Sequence, residues 1–144
     1  MSADRAAISI RPAAESDLED IWRVQSACGQ AAQWNPADYL SHECRVVTVA
    51  EEVAGFGVAR HTAPDELEIL NVAVDPRFRR RGLARKLMQA LLDNYQGTVF
   101  LEVRQSNLAA RKLYHSLGFE VIAVRQSYYS DTGESAIVMK FHSC

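Results

Sequence analysis

The sequence is poor in the features that mark secreted, membrane-spanning and low-complexity proteins. Its 144 residues include only three cysteines, seven glycines and four prolines. No apolar run reaches the roughly 18 residues of a membrane-spanning helix, and residues 1–5 lead into no apolar signal segment. Because no linker, repeat or biased tract interrupts the chain, we expect one domain over residues 1–144.

The cysteines and histidines argue against a disulfide framework and against a metal site. The cysteines are odd in number and far apart, which favours reduced thiols in a cytoplasmic protein. They are Cys28, Cys44 and Cys144. The histidines share no metal-ligand spacing with them, so no metal is expected. They are His42, His61, His115 and His142.

The near-zero net charge conceals one strongly basic segment. The chain has 16 Lys and Arg against 18 Asp and Glu, a net charge of −2. Six of the bases lie in residues 77–86, which contain no acid, so the remainder holds 10 bases against 18 acids. A short basic segment in an acidic chain indicates a local anion site and argues against a nucleic-acid-binding face. Since no apolar run is long enough to span a membrane, no membrane partner is expected either. The acidic remainder would attract a basic protein terminus in a salt-dependent way.

Residue patterns predict a mixed sheet covered by helices. Strand-like segments are residues 8–12, 45–50, 53–61, 67–74, 98–103, 119–125 and 136–141. Helices are expected from a capping box at Ser16 to Gly29, from Asn35 to Ser41, over residues 80–94, and from Asn107 to Gly118. In the first helix, Leu18, Ile21, Trp22 and Gln25 recur at helical spacing and form one stripe. The element order indicates an α/β (α+β) fold with a single mixed sheet.

The strand, basic loop and helix over residues 72–87 form the most informative segment. The first amides of a helix lack internal acceptors and lie at the positive end of its dipole, so they suit a phosphate. Gly82 leaves the backbone open to close approach, and the neighbouring arginines add charge. The pattern is neither a P-loop nor a dinucleotide fingerprint. On charge alone, a solvated basic helix start is the alternative.

Residues 79–84 resemble the Q/R-x-x-G-x-G/A signature of the GNAT N-acetyltransferases, which bind acetyl-CoA. The resemblance implies the GNAT fold, a largely antiparallel mixed sheet of about six to seven strands with about four helices. It also implies that the amides from Arg80 to Arg85 hold the CoA pyrophosphate and that the strand before them binds the pantetheine arm. The implied cofactor-binding residues are Val72, Ala73, Val74, Arg79, Arg80, Arg81, Gly82, Leu83, Ala84, Arg85 and Asn107.

Glu102 and Tyr114 are the candidate catalytic residues. From the residues alone, Glu102 is more simply an edge carboxylate paired with Arg104 or Arg125, and Tyr114 is a core aromatic. Residues 101–119, however, resemble the ribosomal-protein-alanine N-acetyltransferase branch of the family. That resemblance implies that Glu102 is the general base, Tyr114 the general acid, and Asn107 a cofactor contact.

The chemistry of the amine favours an N-terminal acceptor. Only a neutral amine attacks a thioester, and deprotonation at pH 7 costs about 1 kcal/mol for an α-amine but about 5 kcal/mol for a lysine. A single carboxylate base is therefore better suited to deprotonate an α-amine than a lysine side chain. The resemblance implies direct transfer, in a ternary complex, to the N-terminal alanine of a small-subunit ribosomal protein. A small amine, a lysine side chain and a non-catalytic acyl-CoA-binding module remain as alternatives.

Three aromatic residues are candidates for the acceptor site. The branch has a tryptophan at the position of Trp34, which implies an acceptor loop, although a packing anchor is the simpler interpretation. Tyr128 and Tyr129 are either a wall of the peptide cleft or ordinary strand aromatics. The chain departs from the branch at residues 32–33 and at Ser135, near the expected acceptor groove. The acceptor's identity is therefore the open question, and the oligomeric state is not indicated.

Overall fold

Seven strands, three α-helices and three 3₁₀ helices make up the part of the chain that the structure, a computed structural model, describes: residues 7–29, 34–93 and 95–143. The strands are β1 (Ile8–Pro12), β2 (Glu43–Val49), β3 (Glu52–Ala63), β4 (Glu66–Val74), β5 (Gly97–Arg104), β6 (Glu120–Tyr129) and β7 (Glu134–Ser143). The α-helices are α1 (Leu18–Ala27), α2 (Leu83–Leu92) and α3 (Leu108–Ser116). The 3₁₀ helices are Glu15–Asp17, Pro36–Ser41 and Pro76–Phe78.

The strands form one sheet in the order β1-β2-β3-β4-β5-β7-β6. Strands β4 and β5 pair in parallel. The pairs β1–β2, β2–β3, β5–β7 and β6–β7 are antiparallel. The expected mixed, largely antiparallel sheet is confirmed.

The chain divides into two compact units. The first unit comprises Met1–Arg60 and Asn71–Asn94, and the second comprises His61–Leu70 and Tyr95–Cys144. In the first, a buried cluster joins strands β2 and β3 to helix α2. Its members are Val47, Val49, Ala54, Leu83 and Leu87. In the second, the Phe119 and Phe141 rings pack with centroids 5.3 Å apart. Across the described ranges, no helix combines the length and the apolar character that crossing a membrane requires.

Two of the three predicted helix caps are confirmed. Asn35 Oδ1 accepts a hydrogen bond from the Ala37 amide at 3.1 Å, and Asn107 Oδ1 accepts one from the Ala110 amide at 3.2 Å. The predicted capping box at Ser16 is wrong. The Asp17 carboxylate accepts from the Ala14 amide at 2.8 Å instead, and α1 begins at Leu18.

Two details of the predicted helices also differ. Trp22 is 55% exposed, because Ile21, Val24 and Gln25 occupy the buried face of α1. Helix α2 begins at Leu83 and not at residue 80, because Arg80 and Gly82 have positive φ angles of 66° and 71° that interrupt helical geometry. The expected end of this helix at residue 94 lies outside the described residues.

Candidate active site

The cofactor segment, residues 72–85, begins with the end of strand β4. Ala73 is buried, while Val72 and Val74 pack partly against the cluster that includes Leu83 and Leu87. Strand β3 approaches this backbone so closely that a Cβ at Gly55 would lie 2.7 Å from the Ala73 carbonyl oxygen. A glycine is therefore required at residue 55 for strand β4 to sit where it does.

Asp75 holds the chain where the strand turns into the basic loop. Its carboxylate accepts hydrogen bonds from the Arg77 amide at 2.9 Å and from the Arg23 guanidinium at 2.6 Å. Burial by itself would raise the pKa of Asp75, but the hydrogen bonds from Arg77 and Arg23 outweigh it and lower the pKa to about 2. Arg77 also contacts Glu52 at 2.6 Å, so two carboxylates already pair with this base.

The start of helix α2 has the geometry of an anion site. The Gly82 carbonyl accepts from the Lys86 amide at 3.1 Å, so the amides of residues 82–85 precede the first helical hydrogen bond. An added Cβ at Gly82 would meet nothing within 4 Å, which shows that its positive φ, and not crowding, favours glycine here. The four arginines that were predicted to surround the anion are exposed at this turn. They are Arg79, Arg80, Arg81 and Arg85.

In the second unit, Glu102 lies on strand β5 and forms an ion pair. Arg125 Nη1 donates to Glu102 Oε1 at 2.6 Å, so of the two partners suggested by the residues alone, Arg104 and Arg125, the structure shows Arg125. The expected edge position is wrong, because β5 lies between β4 and β7 in the sheet. Glu102 also lines a cavity of about 270 Å³. The other lining residues are Thr62, Glu66, Glu68, Phe100, Leu101 and Val138. Two further carboxylates from strand β4 thus share this cavity with Glu102.

Tyr114 and Asn107 both belong to the α3 segment. Tyr114 is 8% exposed, and its ring centroid lies 6.0 Å from that of Phe119. Burial raises the pKa of Tyr114 to about 12, so the phenol keeps its proton at neutral pH. Asn107 uses its Oδ1 to cap the helix. The catalytic and cofactor roles assigned to these residues stay predictions.

Tyr128 and Tyr129 lie at the end of strand β6, each with an arginine over its ring. Their centroids are 5.2 Å apart in an edge-to-face arrangement. The Arg125 guanidinium carbon lies 4.6 Å from the Tyr128 centroid, and that of Arg104 lies 4.0 Å from the Tyr129 centroid. Tyr128 is 48% exposed, so one ring face or edge is open to a partner.

Sequence reasoning missed a buried polar cluster in the first unit. Gln25 accepts hydrogen bonds from Tyr39 and Asn71 and donates one to the main-chain carbonyl of Trp34. The signal was present, because Gln25 is the one polar residue in the stripe predicted for the first helix. Trp34 itself is 46% exposed, which does not fit a packing anchor.

The two described cysteines are buried. Burial raises the pKa of the Cys28 thiol, and it raises the pKa of the Cys44 thiol to about 12. The Cys28 Sγ donates to the Val74 carbonyl at 3.2 Å. Since the thiolate is the nucleophilic form, neither residue is set up for covalent catalysis.

The structure thus contains an arginine-rich helix N-terminus after an extended strand, a carboxylate beside a cavity, and a protonated phenol, the groups to which the resemblance assigns acetyl-CoA binding and acyl transfer. The family comparison agrees. A model of the acetyltransferase (GNAT) family matches residues 12–119, and the chain belongs to that family. It is an N-acetyltransferase.

Within this family, the chain is similar to individual N-acetyltransferases over most of its length. Ribosomal protein bS18-alanine N-acetyltransferase of Escherichia coli K12 is 42% identical over 135 residues, which cover 86% of this chain and 90% of the relative. The crystal structure of the ribosomal-protein-S18-alanine N-acetyltransferase from Escherichia coli superposes with a TM-score of 0.84, covering 96% of each chain at 31% identity. Ard1 from Thermoplasma volcanium gives a TM-score of 0.84 at 34% identity, covering 96% of this chain and 99% of that one.

Proposed function

We propose that this protein transfers the acetyl group of acetyl-CoA to the N-terminal α-amine of a protein. The favoured acceptor is an N-terminal alanine of a small-subunit ribosomal protein, as the name of the Escherichia coli relative states for that enzyme. The observation that carries the proposal is the position of Glu102, a carboxylate at the wall of a cavity that holds two more acids.

The cofactor segment fits acetyl-CoA. Helix α2 offers amides ahead of its first hydrogen bond, and exposed arginines surround them, a combination that suits a pyrophosphate. Strand β4 offers main-chain groups at Val72, Ala73 and Val74 for the pantetheine arm, and Asn107 is the proposed side-chain contact. Because most of these contacts are main-chain, the fold itself, held by Gly55 and Asp75, is what presents the site.

The acid-lined cavity fits a cationic acceptor. Glu66 accepts a hydrogen bond from the Thr62 hydroxyl at 2.8 Å, and Glu102 is held by Arg125. An ammonium group entering this cavity meets negative charge, which favours its binding and places it beside a base. Trp34, Tyr128 and Tyr129 are the proposed contacts for the residues that follow the acceptor's first.

The proposed chemistry needs one base and one acid. Bound acetyl-CoA supplies the thioester, whose carbonyl carbon bonds to the amine nitrogen while the carbon–sulfur bond breaks. Glu102 accepts the proton that the ammonium must lose, directly or through a water molecule. Tyr114, protonated at neutral pH, donates its proton to the departing sulfur. The nitrogen loses its second proton as the amide forms, and that proton returns the phenolate of Tyr114 to the phenol, directly or through a water molecule. No covalent enzyme intermediate is required, in keeping with the buried thiols of Cys28 and Cys44.

The test is acetylation of a panel of peptides that differ in their first three residues. Each peptide contains one lysine, and a matched copy of each is blocked at its N-terminus. Mass spectrometry of the fragments then places the acetyl group on the α-amine or on the lysine. We expect the alanine-initiated peptides to be modified at the α-amine and the blocked copies to stay unmodified.

The acidic cavity also favours a polyamine, so spermidine is a further arm of the same assay. Acetylated spermidine with unmodified peptides would replace the proposed acceptor by a small amine. Acetylation of lysine in the blocked copies would replace it by a side chain. Binding of acetyl-CoA without release of free CoA thiol, with any amine, would identify a non-catalytic acyl-CoA-binding module.

A further inference from the structure

Three buried polar side chains join three segments of the first unit. Tyr39 Oη donates to Gln25 Oε1 at 2.5 Å, and Asn71 Nδ2 donates to the same oxygen at 3.2 Å. Asn71 Nδ2 also lies 3.2 Å from Tyr39 Oη. Gln25 Nε2 donates to the main-chain carbonyl of Trp34 at 2.6 Å. Gln25 and Tyr39 are 0% exposed and Asn71 is 7% exposed.

Such a cluster specifies an arrangement that an apolar core would not. A buried amide needs partners in fixed directions, so Gln25 holds its neighbours in one geometry, whereas Leu or Met would pack without that constraint. Two partners of Gln25 lie next to residues of the proposed binding sites. Asn71 directly precedes Val72 in strand β4, while Trp34 directly precedes the Asn35 cap of the 3₁₀ helix Pro36–Ser41.

We infer that Gln25 is a positioning residue that couples the cofactor strand to the segment carrying Trp34. The hydrogen bond fixes the main chain of Trp34, while the residue itself is 46% exposed. The backbone is therefore anchored and the ring is presented outward. A ring held in this way contacts an acceptor with little loss of conformational freedom.

Binding of the cofactor to strand β4 is expected to restrict Trp34 through this cluster. Acetyl-CoA bound along Val72, Ala73 and Val74 restricts the backbone next to Asn71. Because Asn71 and Trp34 share Gln25 as partner, that restriction reaches Trp34 without a contact between cofactor and ring. This inference rests on the proposed function for its choice of cofactor, and acetyl-CoA binding is measured separately to keep the two apart.

The fluorescence of Trp34 can be measured on its own, because the chain has only two tryptophans. Trp22→Phe leaves Trp34 as the sole indole, and Trp22 is 55% exposed and away from the cluster's hydrogen bonds. In this background we compare Gln25→Met with Val24→Ala. The control lies one residue away in α1 and is also fully buried, so it weakens the same core while keeping all the hydrogen bonds of the cluster.

The readouts are acrylamide quenching of Trp34 with and without acetyl-CoA, acetyl-CoA binding by calorimetry, and acceptor KM and kcat. With Gln25 present, saturating acetyl-CoA lowers the quenching constant about twofold. In Gln25→Met the quenching constant no longer responds, and acceptor KM rises about tenfold while acetyl-CoA affinity stays within about twofold. Val24→Ala behaves as the parent does in all of these.

A second variant keeps the inference testable if Gln25→Met does not fold. Asn71→Leu removes the link to strand β4 but leaves the hydrogen bond from Gln25 to Trp34. In Asn71→Leu, acrylamide quenches Trp34 to the same extent as in the parent without acetyl-CoA. Addition of acetyl-CoA then no longer changes the quenching constant. A response to acetyl-CoA in Gln25→Met or Asn71→Leu equal to that of the parent would overturn the inference. Absence of acetyl-CoA binding in the parent would instead overturn the proposed function.

Discussion

Arg125 reaches across strand β7 to hold Glu102, with Nη1 2.6 Å from Oε1. The same guanidinium stacks on Tyr128, so one arginine contacts both the proposed base and a proposed wall of the acceptor site. The side chains of Arg125 and Glu102 are 51% and 24% exposed. An ion pair this open to solvent stabilises a fold only slightly, by about 0–1 kcal/mol. We therefore expect loss of this ion pair to change turnover more than the free energy of unfolding.

Replacement of Arg125 tests that expectation. Arg125→Gln frees the Glu102 carboxylate to rotate, so kcat should fall about fivefold while the free energy of unfolding changes by less than about 1 kcal/mol. Arg125→Lys, which retains a cation, should recover part of the loss. Steady-state kinetics and urea unfolding measure the two quantities.

Arg104→Gln is the matched control for Arg125. Arg104 stacks on the adjacent Tyr129 and pairs with Asp131, and none of its hydrogen bonds in the described residues goes to Glu102. An equal fall in kcat for Arg104→Gln and Arg125→Gln would mean that the order of the β6–β7 hairpin, and not the hold on Glu102, sets the rate.

Tyr114→Phe tests the proposed acid. The substitution removes only the hydroxyl and keeps the ring beside Phe119. The conjugate base of a thiol of pKa about 8.5 is already a fair leaving group, so we expect kcat to fall only about tenfold, with acetyl-CoA affinity unchanged. Tyr95→Phe is the control, because the Tyr95 hydroxyl is buried without a hydrogen-bond partner among the described residues. Similar kinetics for the two variants would remove Tyr114 from the mechanism.

Asp75 makes the stability of the cofactor segment sensitive to acid. Its pKa lies at about 2, below the ordinary 3.8, so its contribution is present above about pH 4 and is lost as the pH falls toward 2. The shift corresponds to about 2 kcal/mol. Asp75→Asn should therefore be less stable at pH 7 and should lose less stability between pH 5 and pH 2.5. Identical slopes for parent and variant, by urea unfolding, would contradict this assignment.

Cys44 makes the fold sensitive to alkali. Burial raises its pKa from 9.0 to about 12, so the unfolded chain ionises first and stability is lost as the pH rises from 9 toward 12. Between pH 8 and pH 10.5 this loss amounts to about 2 kcal/mol. Cys44→Ala should be less stable at pH 8 because of the cavity, yet show a flatter dependence on pH. A dependence as steep as the parent's would assign the loss to other groups.

Much of the fold follows from local sequence, because its signals are short-range. Asn35 and Asn107 are predicted as caps from the residues that follow them, and both caps are present. Asp75-Pro76 ends strand β4, as a proline must. Two details are not predicted, one for a local reason and one for a tertiary reason. The start of α2 depends on the positive φ of Arg80, and the exposure of Trp22 depends on which side of α1 meets the sheet.

The candidate site is less accessible to sequence reasoning, because its geometry joins distant residues. The pairing of Glu102 with Arg125 is anticipated from charge, but the cavity shared with Glu66 and Glu68 depends on the parallel pairing of β4 with β5. The Gln25 cluster spans 46 residues of sequence between Gln25 and Asn71. The position of Gln25 in the stripe of the first helix marks the residue as unusual, but no local pattern identifies Tyr39 and Asn71 as its partners.

The turnover of Glu102→Gln shows whether Glu102 is the base of the proposed acetyl-CoA-dependent reaction. The amide keeps the size of the side chain and cannot accept the proton of the ammonium group. We predict that kcat falls by about 100-fold or more, while the acetyl-CoA dissociation constant stays within about twofold. A variant that binds acetyl-CoA normally and turns over at the parent's rate would exclude Glu102 as the base.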